Sequence, residues 1–205
     1  MIFYHTANKG YKSTDLTMVA LARGIACYMG YLHSKKLRTT FSEHILITPF
    51  IEIAQAYKWD YECEFRLKDD PEHTRGGAFK KIDYTLAYNQ QVVGIEAKFP
   101  SGRGEIGKAI SLDLSSDIKK LKNLFTLDKR IYDFPHKSGY LLIVAKHDVF
   151  KKLKFEGVKI KRVITEKLLI SEYAYKRNIL KPHEAFQTQA SVGNISYIVR
   201  MVKVY

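Results

Sequence analysis

The sequence predicts an α/β fold in which helices flank a central mixed β-sheet. Three observations support this prediction. Helical stretches and short strand-like runs follow one another along the chain. Two of the strand-like runs are separated by only three residues, which is typical of a hairpin. The run at residues 140–145 is apolar throughout, as expected of a strand covered on both faces. No linker rich in proline or serine divides the 205 residues, so we expect one domain over residues 1–205.

Two helices and a strand are predicted in the first third of the chain. Residues 16–33 are apolar nearly all round, which indicates a largely buried helix. A second helix can begin at Thr40 or Ser42 and continue to residue 57, with Pro49 as a kink or as the true start. Residues 61–67 alternate as a strand that places Tyr61, Cys63 and Phe65 on one face.

The middle of the chain completes the predicted sheet. Residues 79–88 and 92–99 form the hairpin, and a glycine-rich loop follows Pro100. Apolar residues recur at helical spacing from residue 114 to residue 125, and the strand at 140–145 comes next. In the last sixty residues we expect a helix at 163–177 and a closing strand at 195–204.

The charge of the chain points to a polyanionic partner. Thirty-four lysines and arginines oppose 21 aspartates and glutamates, which gives a formal net charge of +13. No apolar run approaches the roughly 20 residues of a membrane span. The two cysteines, Cys27 and Cys63, lack the spacing of a zinc module. We therefore expect a cytoplasmic protein that does not enter the membrane and that binds nucleic acid.

Three charged residues of the hairpin form the candidate catalytic centre. Alternation in the second strand puts Glu96 and Lys98 on one face, and Asp83 lies in the neighbouring strand. Two carboxylates of this kind can hold Mg²⁺, which lowers the pKa of a bound water, while an amine orients or deprotonates that water. This grouping suits phosphodiester hydrolysis. A Glu-x-Lys triplet arises readily by chance in a lysine-rich chain, and the alternative is an exposed hairpin in which Lys98 pairs with Glu96 or Asp83.

The order of these elements and motifs resembles that of the PD-(D/E)xK nuclease superfamily, which has the restriction-endonuclease-like fold. The resemblance covers residues 40–146 and is carried by Ser42-Glu43, the Glu62/Glu64 strand, Lys81-Ile82-Asp83, Ile95-Glu96-Ala97-Lys98, the amphipathic helix and the apolar strand. It implies an αβββαβ core with an N-terminal helix before it and a C-terminal elaboration at residues 147–205. The superfamily's proline before the aspartate is replaced by Ile82.

The resemblance also implies an activity and its residues. The expected enzyme is a Mg²⁺-dependent endonuclease, with Mn²⁺ as a substitute metal, that cuts DNA in preference to RNA during restriction, repair or the processing of mobile-element or phage DNA. Asp83 and Glu96 would hold the metal together with the Ala97 carbonyl, and Lys98 would position or activate the water. A homodimer would supply two sites for cutting two strands. The alternative is a non-catalytic nucleic-acid-binding protein on the same fold.

Many members of the superfamily add a glutamate from the preceding helix, and this chain offers Glu43 and Glu52. On a continuous helix, Glu43 falls in the middle of the apolar stripe, whereas Glu52 falls on the opposite side. A carboxylate on a core-facing stripe is costly without a cation. We therefore predict that Glu43 is a fourth catalytic and metal-binding residue, with ordinary charge at a helix N-terminus as the alternative.

Several basic residues are candidates for binding the nucleic-acid backbone. Arg103 and Lys108 lie in the glycine-rich loop, whose pattern resembles a phosphate-binding loop but has Ala109 where the hydroxyl residue belongs. The further candidates are Lys81, which precedes Asp83 by two residues, and Lys119 and Lys120 on the helix that follows the hairpin, where we expect them to face away from the core. A solvated surface is the alternative for all five residues.

Overall fold

The computed structural model describes residues 14–37, 43–67, 80–100, 110–173, Leu180 and 184–205. The helices are α1 (Thr14–Ser34), α2 (Ile47–Ala56, after a 3-10 turn at Glu43–Leu46), α3 (Ser115–Thr126), α4 (Lys129–Tyr132), α5 (His147–Phe150) and α6 (Glu166–Tyr173). The strands are β1 (Asp60–Arg66), β2 (Lys81–Tyr88), β3 (Gln91–Lys98), β4 (Ile110–Asp113), β5 (His136–Lys146), β6 (Leu153–Glu156), β7 (Arg162–Thr165), β8 (Glu184–Val192) and β9 (Ile195–Lys203).

Seven of the strands form one sheet in the order β1-β2-β3-β5-β9-β8-β7. Neighbouring strands are antiparallel except for β3 with β5 and β7 with β8, which are parallel. Strands β4 and β6 form a separate parallel pair. The fold is therefore mixed α/β with a mostly antiparallel central sheet, as the sequence predicted at this level.

Each face of the sheet is covered by its own hydrophobic core. Helices α1 and α2 pack on one face, and α3, α4 and α5 pack on the other. Alternation in β3 matches this division, because Val93, Ile95 and Ala97 belong to the α1/α2 core. Glu96 and Lys98 consequently share the face that α3 covers. None of the helices in the described ranges is long and apolar enough to cross a membrane.

The C-terminal segment differs from the prediction. The expected helix at residues 163–177 is wrong in its first part, because Arg162–Thr165 is strand β7 and α6 begins only at Glu166. The β-branched pair Val163-Ile164 favours a strand once β8, which the sequence analysis missed, is present as its partner. Strand β9 was predicted correctly to within one residue at its end, and it pairs directly with β5. Residues 147–205 thus supply three strands of the main sheet.

The sheet is irregular where β1 passes Asp83. Glu64 has a φ of +54°, and the pairing of β1 with β2 skips the step between Glu64 and Asp83. Side chains change faces at this step: Cys63 packs on the α1/α2 core, whereas Phe65 belongs to the α3 core. The prediction that Tyr61, Cys63 and Phe65 share one face is therefore wrong, because simple alternation requires an unbroken extended backbone.

Candidate active site

Asp83 lies at the point where strands β2 and β3 separate. Their pairing ends at Tyr84 and Ile95, and the Ala97 amide beyond this point donates a hydrogen bond of 2.7 Å to Oδ2 of Asp83. The carboxylate thus takes the place of a strand carbonyl at the open end of the hairpin. Burial raises the pKa of Asp83, against the lowering effects of the Ala97 hydrogen bond and of nearby lysines.

Glu96 is the most deeply buried charged residue of the site. Its side chain is 0% exposed, and its Oε2 accepts a hydrogen bond of 2.5 Å from Nζ of Lys120. Its other oxygen, Oε1, is buried without a hydrogen-bond partner among the described residues. Burial, followed by the neighbouring Asp83 carboxylate, raises the pKa of Glu96 to about 8. A buried carboxylate with an unsatisfied oxygen is costly and favours a cationic ligand.

Helix α3 packs closely on the sheet near this site because two glycines leave no side chains between them. Gly94 of β3 and Gly139 of β5 are paired neighbours, and a Cβ atom on Gly94 would lie 2.7 Å from Cδ2 of Leu124. A side chain at this position would push the helix away. Two residues of strand advance by about 6.8 Å, close to the ~5.4 Å of one helical turn. The β3 side chains beyond Gly94 therefore meet α3 side chains one turn apart.

The resulting pairs link β3 to α3. Lys120 contacts Glu96, as described above, and Nζ of Lys98 lies 3.0 Å from Oδ2 of Asp117. Lys120 also lies 3.2 Å from Oδ1 of the same Asp117, one helical turn before it. Asp117 is therefore the shared anchor of both amines. Its side chain is 3% exposed, whereas those of Lys98 and Lys120 are 27% and 24% exposed, so the two ammonium groups stand at the mouth of the site.

Glu43 approaches the site from another direction than predicted. It lies in the 3-10 turn that precedes α2, so the phase of a continuous helix does not apply, and the residue is exposed instead of buried on an apolar stripe. Its Oε1 nevertheless accepts a hydrogen bond of 3.2 Å from the amide of Phe99, directly after β3. Its charge contributes to the raised pKa of Asp83. Glu52 is exposed on α2, as predicted.

The acidic groups of the site outnumber its cations. Four carboxyl groups (Glu43, Asp83, Glu96 and Asp117) face two lysines (Lys98 and Lys120), so the formal charge of the site is −2 when all four acids are ionised. A divalent cation would neutralise this excess. No three His, Cys, Asp or Glu side chains within the described ranges are gathered closely enough to form a complete metal site. Mg²⁺ needs only one or two protein carboxylates besides water and phosphate, and Asp83 and Glu96 are oxygen donors of the kind that this ion takes.

The structure describes three of the five basic candidates for binding the nucleic-acid backbone. Lys81 forms an exposed ion pair of 2.5 Å with Glu64. Lys119 is exposed on α3, as expected, but the prediction that Lys120 faces away from the core is wrong because its ammonium group points at Glu96. Arg103 and Lys108 lie outside the described residues.

The sequence analysis missed Asp117 and the role of Lys120. A signal for Asp117 was present, because it lies at helical spacing from Leu114, Leu121 and Leu124, in the middle of the apolar stripe of α3. A carboxylate in that place requires a cationic partner, by the argument that was applied to Glu43.

Comparison with known proteins identifies no relative at a significant level: no protein-family model matches the chain, and neither does any curated protein or solved structure.

Proposed function

We propose that the protein is a metal-dependent phosphodiester hydrolase that cuts DNA with the PD-(D/E)xK set of catalytic residues. The observation that carries the proposal is the buried, partly unsatisfied carboxyl group of Glu96 beside Asp83, in a site where four acidic side chains face two lysines. Such a site favours a divalent cation over a purely structural ion-pair network, which would be neutral and fully hydrogen-bonded.

The alternative of an isolated salt-bridged hairpin has less support. In that arrangement Lys98 would pair with Glu96 or Asp83, whereas its partner is Asp117 on a different element. The order of α2, β1, β2, β3, α3 and β5 supports the nuclease reading as well. In it, three antiparallel strands are followed by a strand parallel to β3, which is compatible with the αβββαβ core that the resemblance implies.

Each residue of the site has a role in the proposed reaction. Asp83 and Glu96 would hold Mg²⁺, with the Ala97 carbonyl as a further ligand, and the ion would acidify a water molecule and offset negative charge on the phosphate. Lys98, which Asp117 contacts at 3.0 Å, would donate a hydrogen bond that orients the attacking water. The water would attack phosphorus and release one proton to solvent, the bond from phosphorus to the leaving oxygen would break, and that oxygen would take up a proton from solvent. Glu43 holds the backbone just after β3 through the Phe99 amide.

DNA is the proposed substrate because the chain carries a formal charge of +13 around an acidic site. Positive charge outside the site attracts the phosphate backbone, while the acids inside it retain the metal. RNA is a second polyanion that the same charge would attract, so both substrates belong in the test. A homodimer remains part of the proposal as the arrangement that would cut both strands.

Incubation of the purified protein with plasmid DNA, with linear duplex and with RNA tests the proposal. We expect cleavage with Mg²⁺ or Mn²⁺ and none with EDTA. Asp83→Asn, Glu96→Gln and Lys98→Met should each reduce the cleavage rate by about 10²–10⁴-fold. Glu52→Gln removes an exposed carboxylate of α2 and is the matched control, which should cleave like the wild type.

The outcomes separate the enzyme from its alternative. DNA that is bound but left intact with either metal would indicate a non-catalytic nucleic-acid-binding protein. Cleavage that survives Asp83→Asn would show that the activity arises elsewhere or from a contaminant.

A further inference from the structure

We propose that Lys120 is an exchangeable counter-ion of Glu96, which a divalent cation displaces towards Asp117. The inference rests on the proposed function, because it assumes that Glu96 is a metal ligand. It adds a residue of α3 to the site and assigns it a role in controlling how tightly the metal binds.

The first observation is that Lys120 and a metal ion would both bind the carboxylate of Glu96. The ammonium of Lys120 donates to Oε2 of Glu96 at 2.5 Å. The carboxylate is fully buried and offers only one other oxygen, so a cation entering beside Asp83 competes with the ammonium for the negative charge of Glu96. Two cations on one buried carboxylate repel each other strongly at low dielectric.

The second observation is that Lys120 has another acceptor within reach. Oδ1 of Asp117 lies 3.2 Å from Nζ of Lys120, so the ammonium already lies between two carboxylates. An ammonium group has three donors on a flexible stem and can shift between acceptors by a small rotation. Displacement from Glu96 therefore leaves the lysine paired instead of isolated in a half-buried site.

The third observation is the exposure of the pair. Glu96 is 0% exposed and Lys120 is 24% exposed, so the amine covers the buried acid from the solvent side. In this position Lys120 pairs with Glu96 in the metal-free protein, and a divalent cation replaces it on the carboxylate.

Mn²⁺ titration of the full-length protein, followed by calorimetry or by the electron paramagnetic resonance signal of free Mn²⁺, tests the inference. Lys120→Met removes the competitor and should lower the dissociation constant about tenfold. Lys120→Arg keeps the charge but can hold a carboxylate with two parallel hydrogen bonds, and it should raise the dissociation constant about three- to tenfold. Lys122→Met, on an exposed position of the same helix, should leave it unchanged.

The opposite directions of the two variants make the test decisive. A long-range charge effect alone would leave Lys120→Arg equal to the wild type, and a merely structural role would weaken Mn²⁺ binding in both variants; either result overturns the inference. Should Lys120→Met fail to fold, Lys120→Gln removes the same charge with a polar side chain and should likewise lower the dissociation constant, so a weakening in Lys120→Gln would overturn the inference. If the wild type itself binds no Mn²⁺, the proposed function fails, whereas normal wild-type binding with unchanged variants overturns the role of Lys120 alone.

Discussion

Replacing Glu96 by glutamine should stabilise the protein in EDTA, although it destroys the proposed catalytic centre. Glutamine keeps the shape of the side chain and removes the buried charge. Its amide oxygen can still accept a hydrogen bond from Lys120, and its NH₂ group would occupy the position of the unsatisfied Oε1. The substitution therefore isolates the cost of the ionised carboxylate.

The pH dependence and the size of this effect follow from the pKa of Glu96. The ordinary value of 4.5 is raised to about 8 in the folded protein, so the folded state retains a proton that the unfolded state releases. This contribution to stability is complete below pH 4.5 and is lost as the pH rises through 8. At 1.36 kcal/mol per pKa unit the loss is at most about 5 kcal/mol. Since the NH₂ group of glutamine takes the unpartnered position of Oε1 and keeps part of the cost of burial, we expect Glu96→Gln to be more stable by about 2–4 kcal/mol at pH 8.5.

Thermal and urea unfolding in EDTA between pH 4.5 and 9 measures the difference. For a chain of this size the expected gain corresponds to a rise in Tm of about 5–15 °C at pH 8.5, with almost no difference at pH 4.5. Glu52→Gln should follow the wild-type curve at every pH. Adding Mg²⁺ should stabilise the wild type at high pH and leave Glu96→Gln unaffected. Parallel curves for wild type and Glu96→Gln across this range would refute the argument that Glu96 is a costly buried charge.

Two further substitutions test the packing around the site. Gly94→Ala should lower the free energy of unfolding by about 1–3 kcal/mol in urea titrations, because the new methyl group would lie 2.7 Å from Leu124. It should also slow cleavage by shifting α3. Undiminished stability would contradict the close approach of helix and sheet. Asp15→Asn should destabilise the protein by about 1–3 kcal/mol, since Asp15 accepts hydrogen bonds from Tyr140 at 2.5 Å and Lys203 at 3.0 Å. Because this cluster lies on the face opposite α3, cleavage per folded molecule should be unchanged, and a selective loss of activity would refute its structural role.

The local elements near the site could be predicted because their signals are local. The hairpin of β2 and β3 follows from alternation around a short polar turn, and Asn89 at that turn has a φ of +52°, which asparagine tolerates better than most residues. The same alternation placed Glu96 and Lys98 on one face. The prediction for Phe65 failed because one left-handed residue, Glu64, interrupts the alternation, and no sequence pattern announces it.

The contributions of α3 and of the C-terminal strands depend on tertiary contacts. Lys120 meets Glu96 only because Gly94 and Gly139 are neighbours on adjacent strands, and they lie 45 residues apart in the sequence. Strand β7 is short and acquires its partner β8 from a segment about twenty residues later. Periodicity describes which face a residue occupies on its own element, but it does not reveal which other element covers that face.

The position of the acids explains how the fold tolerates them and why stability and function should be linked. Asp83 and Glu96 lie where the strand ladder of β2 and β3 ends, so the Ala97 amide can donate to Asp83 instead of to a strand carbonyl. Asp117 and Lys120 lie on α3, which the leucines over Gly94 hold against the sheet, and their charged groups reach the site directly from this helix. Since the lysines neutralise only half of the four carboxylates, the remaining charge opposes folding at high pH. A divalent ion that relieves this repulsion binds the folded state and not the unfolded chain, so the same ion that enables hydrolysis should also raise the free energy of unfolding.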